Sequence, residues 1–554
     1  MKNILPVIIL LTIVLGKSLS AQQTIGWFQN DAESYNGYTL FAPIVYTETY
    51  LIDNCGKIIH SWPSSYKPGN SVYLTEDGFL LRTGSVGNTS FTAGGNGGII
   101  EKIDSAGNVV WSYSISDSQQ CQHHDIAILP NGNILAIVWD SHTSTDAIAN
   151  GRNPATVNSV LWSEKIIEIN PTNDSIVWEW YVWDHLIQDF SAVQANYGVV
   201  ADHPELVDIN FTNAAASEDW LHMNAVFYNA EFDQIAVSLH NTHEIWIIDH
   251  STSTTEAASH SGGTYGKGGD LLYRWGNPQA YDCGSAANQK FYGQHDVRWI
   301  PAGYPGEGMI MVYNNGINRP SGNYSTVDVF MPAVDSLGNY TMTAGTACPP
   351  VALSWQYMAA TPTDFYSAAI SGAERMPNGN TLICQGEDGT MFEVDSVGNM
   401  VWKYISPVTF SGPMTQGSTP GGTPPSGNPN NVFRCKRYAP DYPGLANYDL
   451  TPGNPIEMNP IAYSCTIYAS IDDEFVQITN AYPNPASDYI IVQSSNGQEI
   501  INKLEIFGMN GLLMLEKCPE TSSAQVNISC LKAGMYIIRI SLNEKTEFHQ
   551  IIVE

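Results

Sequence analysis

Charge is scarce in this sequence, and positive charge is scarcest. Charged residues make up 14% of 554, with 23 basic against 54 acidic, a formal net charge of −31. A phosphate backbone is repelled by such a surface, which argues against nucleic acid as a partner. The nine cysteines include no CxxC pair and no metal-ligand spacing, so no metal is expected. Their odd number leaves at least one thiol outside any internal disulfide. Long helical periodicity is missing. Beyond the first twenty residues there is no apolar run long enough to span a bilayer.

What is abundant is Gly, Asn, Ser, Thr and aromatic residues, the last at 11%. That is the composition of an all-β chain with many turns. Its length exceeds one ordinary core and suits two or three units. Met1-Lys2-Asn3, the apolar run from Ile4 to Gly16 and the small residues Ser18-Leu19-Ser20-Ala21 read as a secretory signal over 1–21. The run is too short for a membrane span.

Two phrases recur. Ile103-Asp104-Ser105-Ala106-Gly107-Asn108-Val109-Val110-Trp111 returns as Val394-Asp395-Ser396-Val397-Gly398-Asn399-Met400-Val401-Trp402. Looser copies lie at Ile52-Asp53-Asn54-Cys55-Gly56, Ile169-Asn170 and Ile248-Asp249. Each is a strand, a tight Gly-Asn turn and a strand carrying Trp. Leu129-Pro130-Asn131-Gly132-Asn133 matches Met376-Pro377-Asn378-Gly379-Asn380, with a looser copy at Thr75-Glu76-Asp77-Gly78. Two hairpins in fixed order make a four-stranded unit, the sign of a β-propeller. Six units are read at 35–62, 70–115, 123–183, 222–276, 295–356 and 366–405. The fold expected is all-β, a six-bladed β-propeller over 25–467, with 432–467 as an irregular strap, followed by a small C-terminal β-sandwich over 475–554.

The tail carries Tyr482-Pro483-Asn484-Pro485, Phe507-Gly508-Met509-Asn510-Gly511 and Leu531-Lys532-Ala533-Gly534-Met535-Tyr536. It resembles the type A C-terminal sorting domain of the type IX secretion system. The resemblance implies that the secretion machinery is a partner and that the protein is secreted or held at the cell surface, reached through the periplasm.

Twelve of the 13 histidines lie at or before position 295. His124-Asp125 and His295-Asp296 each stand at the same spacing before a Pro, at Pro130 and Pro301, and His222 opens another apolar run. If all three head the innermost strands of their units, they converge on one pocket. Convergent imidazoles suit metal binding, proton transfer or nucleophilic catalysis on an anion. A surface His is the reading for His243, His250 and His260, and Trp111, Trp178, Trp275 and Trp402 are expected in the blade cores.

His123-His124-Asp125, Asp219-Trp220-Leu221-His222-Met223-Asn224, Ser238-Leu239-His240-Asn241 and Gln294-His295-Asp296 resemble the bacterial arylsulfotransferases. That family implies a six-bladed propeller and a sulfuryl group moved from a phenolic sulfate ester to a phenolic acceptor. It needs no cofactor and works through a sulfated histidine. Carried over by motif, His295 is the nucleophile and His124, His222 and His240 complete the catalytic group. Asn224, Arg274 and Arg298 are the candidate substrate-binding residues, because the family ordinarily has an arginine where this chain has His240. The alternative is a non-catalytic propeller that binds a surface glycan or protein.

Overall fold

The computed structural model describes residues 22–211, 218–421, 429–468, 479–494, 499–508, 513–542 and 546–553. The leader read over 1–21 and the motif residues Met509–Gly511 lie outside them. The chain forms two compact units, Met1–Tyr468 and Ala469–Glu554. Among the described residues no helix is long and apolar enough to cross a membrane.

The first unit is all-β and propeller-like. Among the described residues it holds six antiparallel sheets of four or five strands, each with two open edges, and two small two-stranded ones. In chain order their innermost strands are Val432–Tyr438, Lys67–Leu74, Gln120–Ile128, Met223–Asn229, His295–Trp299 and Gly372–Arg375. The repeated phrases supply the turns. Asp104 Oδ1 accepts the N–H groups of Ala106 and Asn108 at 2.9 and 2.8 Å, and Gly107 turns left-handed at φ +84°. Asp53 and Asp395 repeat this geometry. So does Asp335 with Leu337 and Asn339, a copy that the sequence reading passed over.

The sheets stack face to face, which explains why the strands are apolar without alternation. Along Ile134–Thr143, Leu135 and Ile137 join a core shared with the fourth sheet. Ile134, Ala136 and Val138 join one shared with the second. Trp178, Trp275 and Trp402 are buried as expected, but Trp111 is only partly so and donates to Asp174 Oδ1 at 2.8 Å.

The two ends of this unit are interleaved. Gly26–Asn30 adds a fifth, outer strand to the last sheet, and Val432–Tyr438 supplies the inner strand of the first. This corrects the irregular strap expected at 432–467. The strand escaped notice because Arg434, Lys436 and Arg437 break its apolar pattern, and each of them pairs with a carboxylate inside the unit. A disulfide, Cys55–Cys465, joins positions 410 apart, while the other seven cysteines are free.

The inner strands are bent at their heads. Register shifts interrupt their pairing at Pro68/Val72, Ala136/Val138, Met223/Ala225 and His295/Arg298. Left-handed φ values at Asn70, His124, His222 and Asp296 accompany the bends. Such bulges re-aim side chains away from the regular pleat, here toward the interior. Below them Arg434 reaches Asp125 Oδ2 (2.5 Å), the Asn224 carbonyl (2.8 Å) and Asp296 Oδ1 (3.3 Å). One guanidinium therefore ties the first, third, fourth and fifth sheets together.

The second unit packs a three-stranded sheet (Thr479–Tyr482, Tyr489–Ser494, Ser523–Asn527) and a four-stranded one around a core that includes Ile490, Val492, Ile506, Ile538 and Ile551.

Removing one partner of a buried ion pair leaves an uncompensated charge, which costs roughly 3–5 kcal/mol. Arg434→Ala strands both Asp125 and Asp296. Its unfolding free energy in urea is expected to fall by about that amount; a change below about 1 kcal/mol would contradict the bridging role.

Candidate functional site

Four imidazoles form an arc at the heads of the inner strands. Ring centroids are 4.7 Å apart for His124–His222, 5.5 Å for His222–His240 and 5.7 Å for His240–His295. His124 and His295 come from inner strands of the third and fifth sheets. His222 immediately precedes the inner strand of the fourth, and His240 immediately follows the adjacent strand Gln234–Leu239. The His240 N–H donates to the His222 carbonyl at 3.1 Å, so the two are fixed by one ladder.

Hydrogen bonds set the tautomers. Asn315 Nδ2 donates to the carbonyls of Ser367 and Ile370 at 2.8 and 2.9 Å. Its Oδ1 therefore faces His295 Nδ1 at 2.8 Å, and the Gly293 carbonyl lies 3.2 Å from the same nitrogen. Two acceptors on Nδ1 require an N–H there, which leaves the lone pair on Nε2. His240 is held the same way: Asn241 donates to the Asp219 carbonyl and presents Oδ1 to Nδ1 at 2.8 Å. His222 Nδ1 lies 2.5 Å from Asp219 Oδ2.

Behind His124 runs a buried chain. His124 Nδ1 meets His123 Nδ1 at 2.9 Å, and His123 Nε2 meets Glu164 Oε2 at 2.8 Å. Glu164 Oε1 accepts the Met223 N–H at 2.9 Å. His123 also stacks on Trp139 with centroids 3.9 Å apart.

Burial, then the neighbouring His240, holds His295 well below the ordinary imidazole value. Burial and the neighbouring His222 do the same to His124 and His123 and bring His240 down to about 4. His222 goes the other way. Burial pushes its pKa down, but the Asp219 carboxylate outweighs burial and raises it, with Glu164 adding to the effect. Glu164 is itself raised well above the carboxylate range by burial and by Asp219. The arc thus holds one readily charged imidazole among neutral ones.

A cavity of about 260 Å³ lined by Asn70, Gly95, Ile370 and Asn431 adjoins the arc. Gly95 is required there: its φ is +82°, and a Cβ would fall 2.1 Å from the His124 ring.

Arg274, Arg298 and Asn224 each have partners of their own within the sheets. Arg274 lies in the outermost strand of the fourth sheet and is gripped by Glu244 at 2.8 and 2.5 Å, which offsets the cost of burying its charge. Arg298 pairs with Asp296 and Glu374 and faces a different cavity at the far ends of the inner strands. Asn224 Nδ2 donates to the Gln294 carbonyl at 2.8 Å, holding two sheets together. Among the described residues, the guanidinium whose charge acts on both His124 and His295 is that of Arg434, adding to burial and the neighbouring imidazoles in lowering each. Sequence reading missed it, along with Glu164 and Asn315, for want of any recurring motif; Asp219 did stand in the His222 motif.

His250 bridges Asp233 and Glu168 and is raised to about 9, burial opposing and the two carboxylates prevailing. His243 accepts the Gly293 N–H. Among the described residues, one group has metal-ligand spacing: His185, His260 and Asp270, with donor atoms within 4.8 Å of one another. It lies beside Trp180 and Ala257, outside the arc.

The match to known proteins agrees with the motifs. The family model "Arylsulfotransferase (ASST)" matches residues 29–406, and "Secretion system C-terminal sorting domain" matches 480–554. The second match assigns the protein to export by the type IX secretion machinery, to the medium or the cell surface. No curated protein matches the chain. Among solved structures, a Bacteroides caccae protein of unknown function is similar at 12% identity, over 73% of this chain and 99% of its own, with a TM-score of 0.40. Streptogramin B lyase is similar at 10% identity, over 76% and 95%, with a TM-score of 0.34. The Dos1 propeller is similar at 7% identity, over 96% and 97%, with a TM-score of 0.27. On the extent of the family match, this exported chain belongs to the arylsulfotransferase (ASST) family.

Proposed function

We propose that the six sheets are the blades of a six-bladed propeller, and that the histidine arc at one end of its axis transfers a sulfuryl group from a phenolic sulfate ester to a phenol. The observation that carries this reading is the tautomer of His295. Asn315 and Gly293 hold the proton on Nδ1, so Nε2 offers a lone pair beside three other imidazoles.

In the first half-reaction Nε2 of His295 attacks sulfur and the N–S bond forms. The S–O bond to the aryl group breaks, and the phenolic oxygen leaves with the bonding pair. His222, kept protonatable by Asp219, gives that oxygen its proton. In the second half-reaction an acceptor phenol returns a proton to His222 as its oxygen attacks sulfur, and the S–N bond breaks. His124 supplies a donor to a sulfate oxygen. With Glu164 protonated, the proton order runs Glu164 to His123 Nε2 and His123 Nδ1 to His124 Nδ1, leaving Nε2–H of His124 free to donate. Glu164 and His123 are then positioning residues.

The first test is release of nitrophenolate from 4-nitrophenyl sulfate with phenol as acceptor. His295→Asn is expected to lose at least about 10³-fold in rate and to retain no covalent ³⁵S. No turnover in folded wild type, across several donors and acceptors, would favour a non-catalytic binding propeller in which His240 does not replace the family's arginine.

The pH profile of kcat/KM should straddle the ordinary imidazole value. His295 is depressed, so activity is lost only as pH falls well below that value. His222 is raised, so its acid form persists above that value and activity falls as pH rises through its own pKa. Asp219→Asn should move the alkaline limb to lower pH; an unmoved limb would remove His222 as the acid.

Glu164→Gln can donate to His123 as a protonated Glu does, and should keep most of the rate. Glu164→Met cannot, and should lose about 10-fold or more. Equal activity of the two folded variants would argue against the relay.

A further inference from the structure

The inner strands enclose a second cavity at their far ends. It measures about 390 Å³ and is bounded by residues from all six inner strands, including Leu74, Ile128, Tyr228, Trp299, Arg375 and Lys436. Nothing in the transfer chemistry uses it. Asp125, Asp296, Arg298 and Arg434 form a network between it and the strand heads.

The charge of this cavity is opposite to that of the protein. Arg298, Arg375, Lys436 and Arg437 line it, with Glu374 as the one carboxylate among its lining residues. Arg437 is matched by Glu393, and Arg298 by Asp296. Glu374 is shared between Arg298 (3.1 Å) and Lys436 (3.2 Å) and also accepts the Arg437 N–H. Among the described residues Arg375 has no carboxylate partner; its guanidinium lies over the Trp355 ring, 4.7 Å from the centroid. It is only 9% exposed, yet it makes no ion pair with a described residue. Its Nη1 donates to the Gly379 carbonyl and to Thr381, and its Nε is buried without a partner. Burial, with no carboxylate to oppose it, lowers its pKa to about 10. A buried guanidinium without a counter-charge is costly unless an anion joins it.

The rest of the lining is apolar, aliphatic side chains such as Leu74, Ile126 and Met311 alternating with aromatic rings. Tyr73 donates to Asp125, Tyr442 to the Leu74 carbonyl and Tyr228 to Asp233, and Tyr438 accepts the Leu74 N–H. Their hydroxyls are engaged, so what they offer a guest is ring surface. The adjoining groove beyond Tyr442 carries Glu76 and an Asp77–Lys102 pair at 2.8 Å, so the excess of positive charge lies on the Arg375 and Lys436 side.

We propose that this cavity is a second binding site, for a small aromatic anion such as an aryl sulfonate or carboxylate, distinct from the histidine arc. It stands or falls independently of the sulfuryl-transfer reading.

The probe is naphthalene-2-sulfonate, whose sulfur is bonded to carbon and so carries no phenolic leaving group. It is titrated calorimetrically into the full chain. The wild type is expected to bind one equivalent that Arg375→Gln and Lys436→Met each weaken about tenfold or more, as loss of a charged hydrogen bond does. His295→Asn and His222→Asn should leave that equivalent unchanged. The proposal is overturned if there is no saturable binding, if the two cavity variants bind as wild type does, or if the histidine variants abolish it instead. Unchanged melting temperatures establish that each variant is folded. Should Arg375→Gln fail to fold, Lys436→Met decides, because its side chain is 33% exposed and its removal opens no core.

Discussion

A single buried guanidinium holds the centre of this protein. Arg434 meets Asp125 on one side and Asp296 on the other, and takes the Asn224 carbonyl between them. The two carboxylates also accept backbone N–H groups from neighbouring strands, Val226 for Asp125 and Ala373 for Asp296. Each therefore fixes the inner strand of the next sheet. Because Asp125 and Asp296 directly follow His124 and His295, the network that joins the sheets also fixes the two ends of the histidine arc.

The arc itself is governed by mutual repulsion. Imidazoles 4.7–5.7 Å apart cannot all be charged in a buried site, and burial already favours the neutral form. Asp219 breaks the symmetry by stabilising charge on His222 alone. Neutral imidazoles and a protonated one can then coexist within one cluster of the same residue type. In a protein of net charge −31 the arc is thus a local source of positive charge.

The same economy governs the interior as a whole. Arg274 with Glu244 and Arg437 with Glu393 are matched pairs deep in the first unit. Arg152 and Arg375 depart from this, each buried with no ion pair to a described carboxylate, and of the two Arg375 lines the cavity at the far ends of the inner strands.

Much of the fold was legible because turns are local. An Asp that accepts the N–H groups two and four residues on, and a Gly at positive φ, are decided within five residues. Hence the repeats, the all-β class and the sorting tail could be read directly, and the histidine motifs marked strand heads. Asp335 shows the limit of that reading: its turn is the same, but no phrase ending in Trp follows at the usual distance. What the chain order could not disclose were partnerships across hundreds of residues. Val432–Tyr438 closes the first sheet, Cys55 meets Cys465, and Arg434 meets Asp125. Arg274, Arg298 and Arg434 look alike in sequence, since a guanidinium's role depends on which carboxylate it finds, and only tertiary structure decides that. Sequence alone determined the repeating unit and the residues at its strand heads. Packing determined which of them meet, because convergence depends on how sheets from distant parts of the chain are brought together.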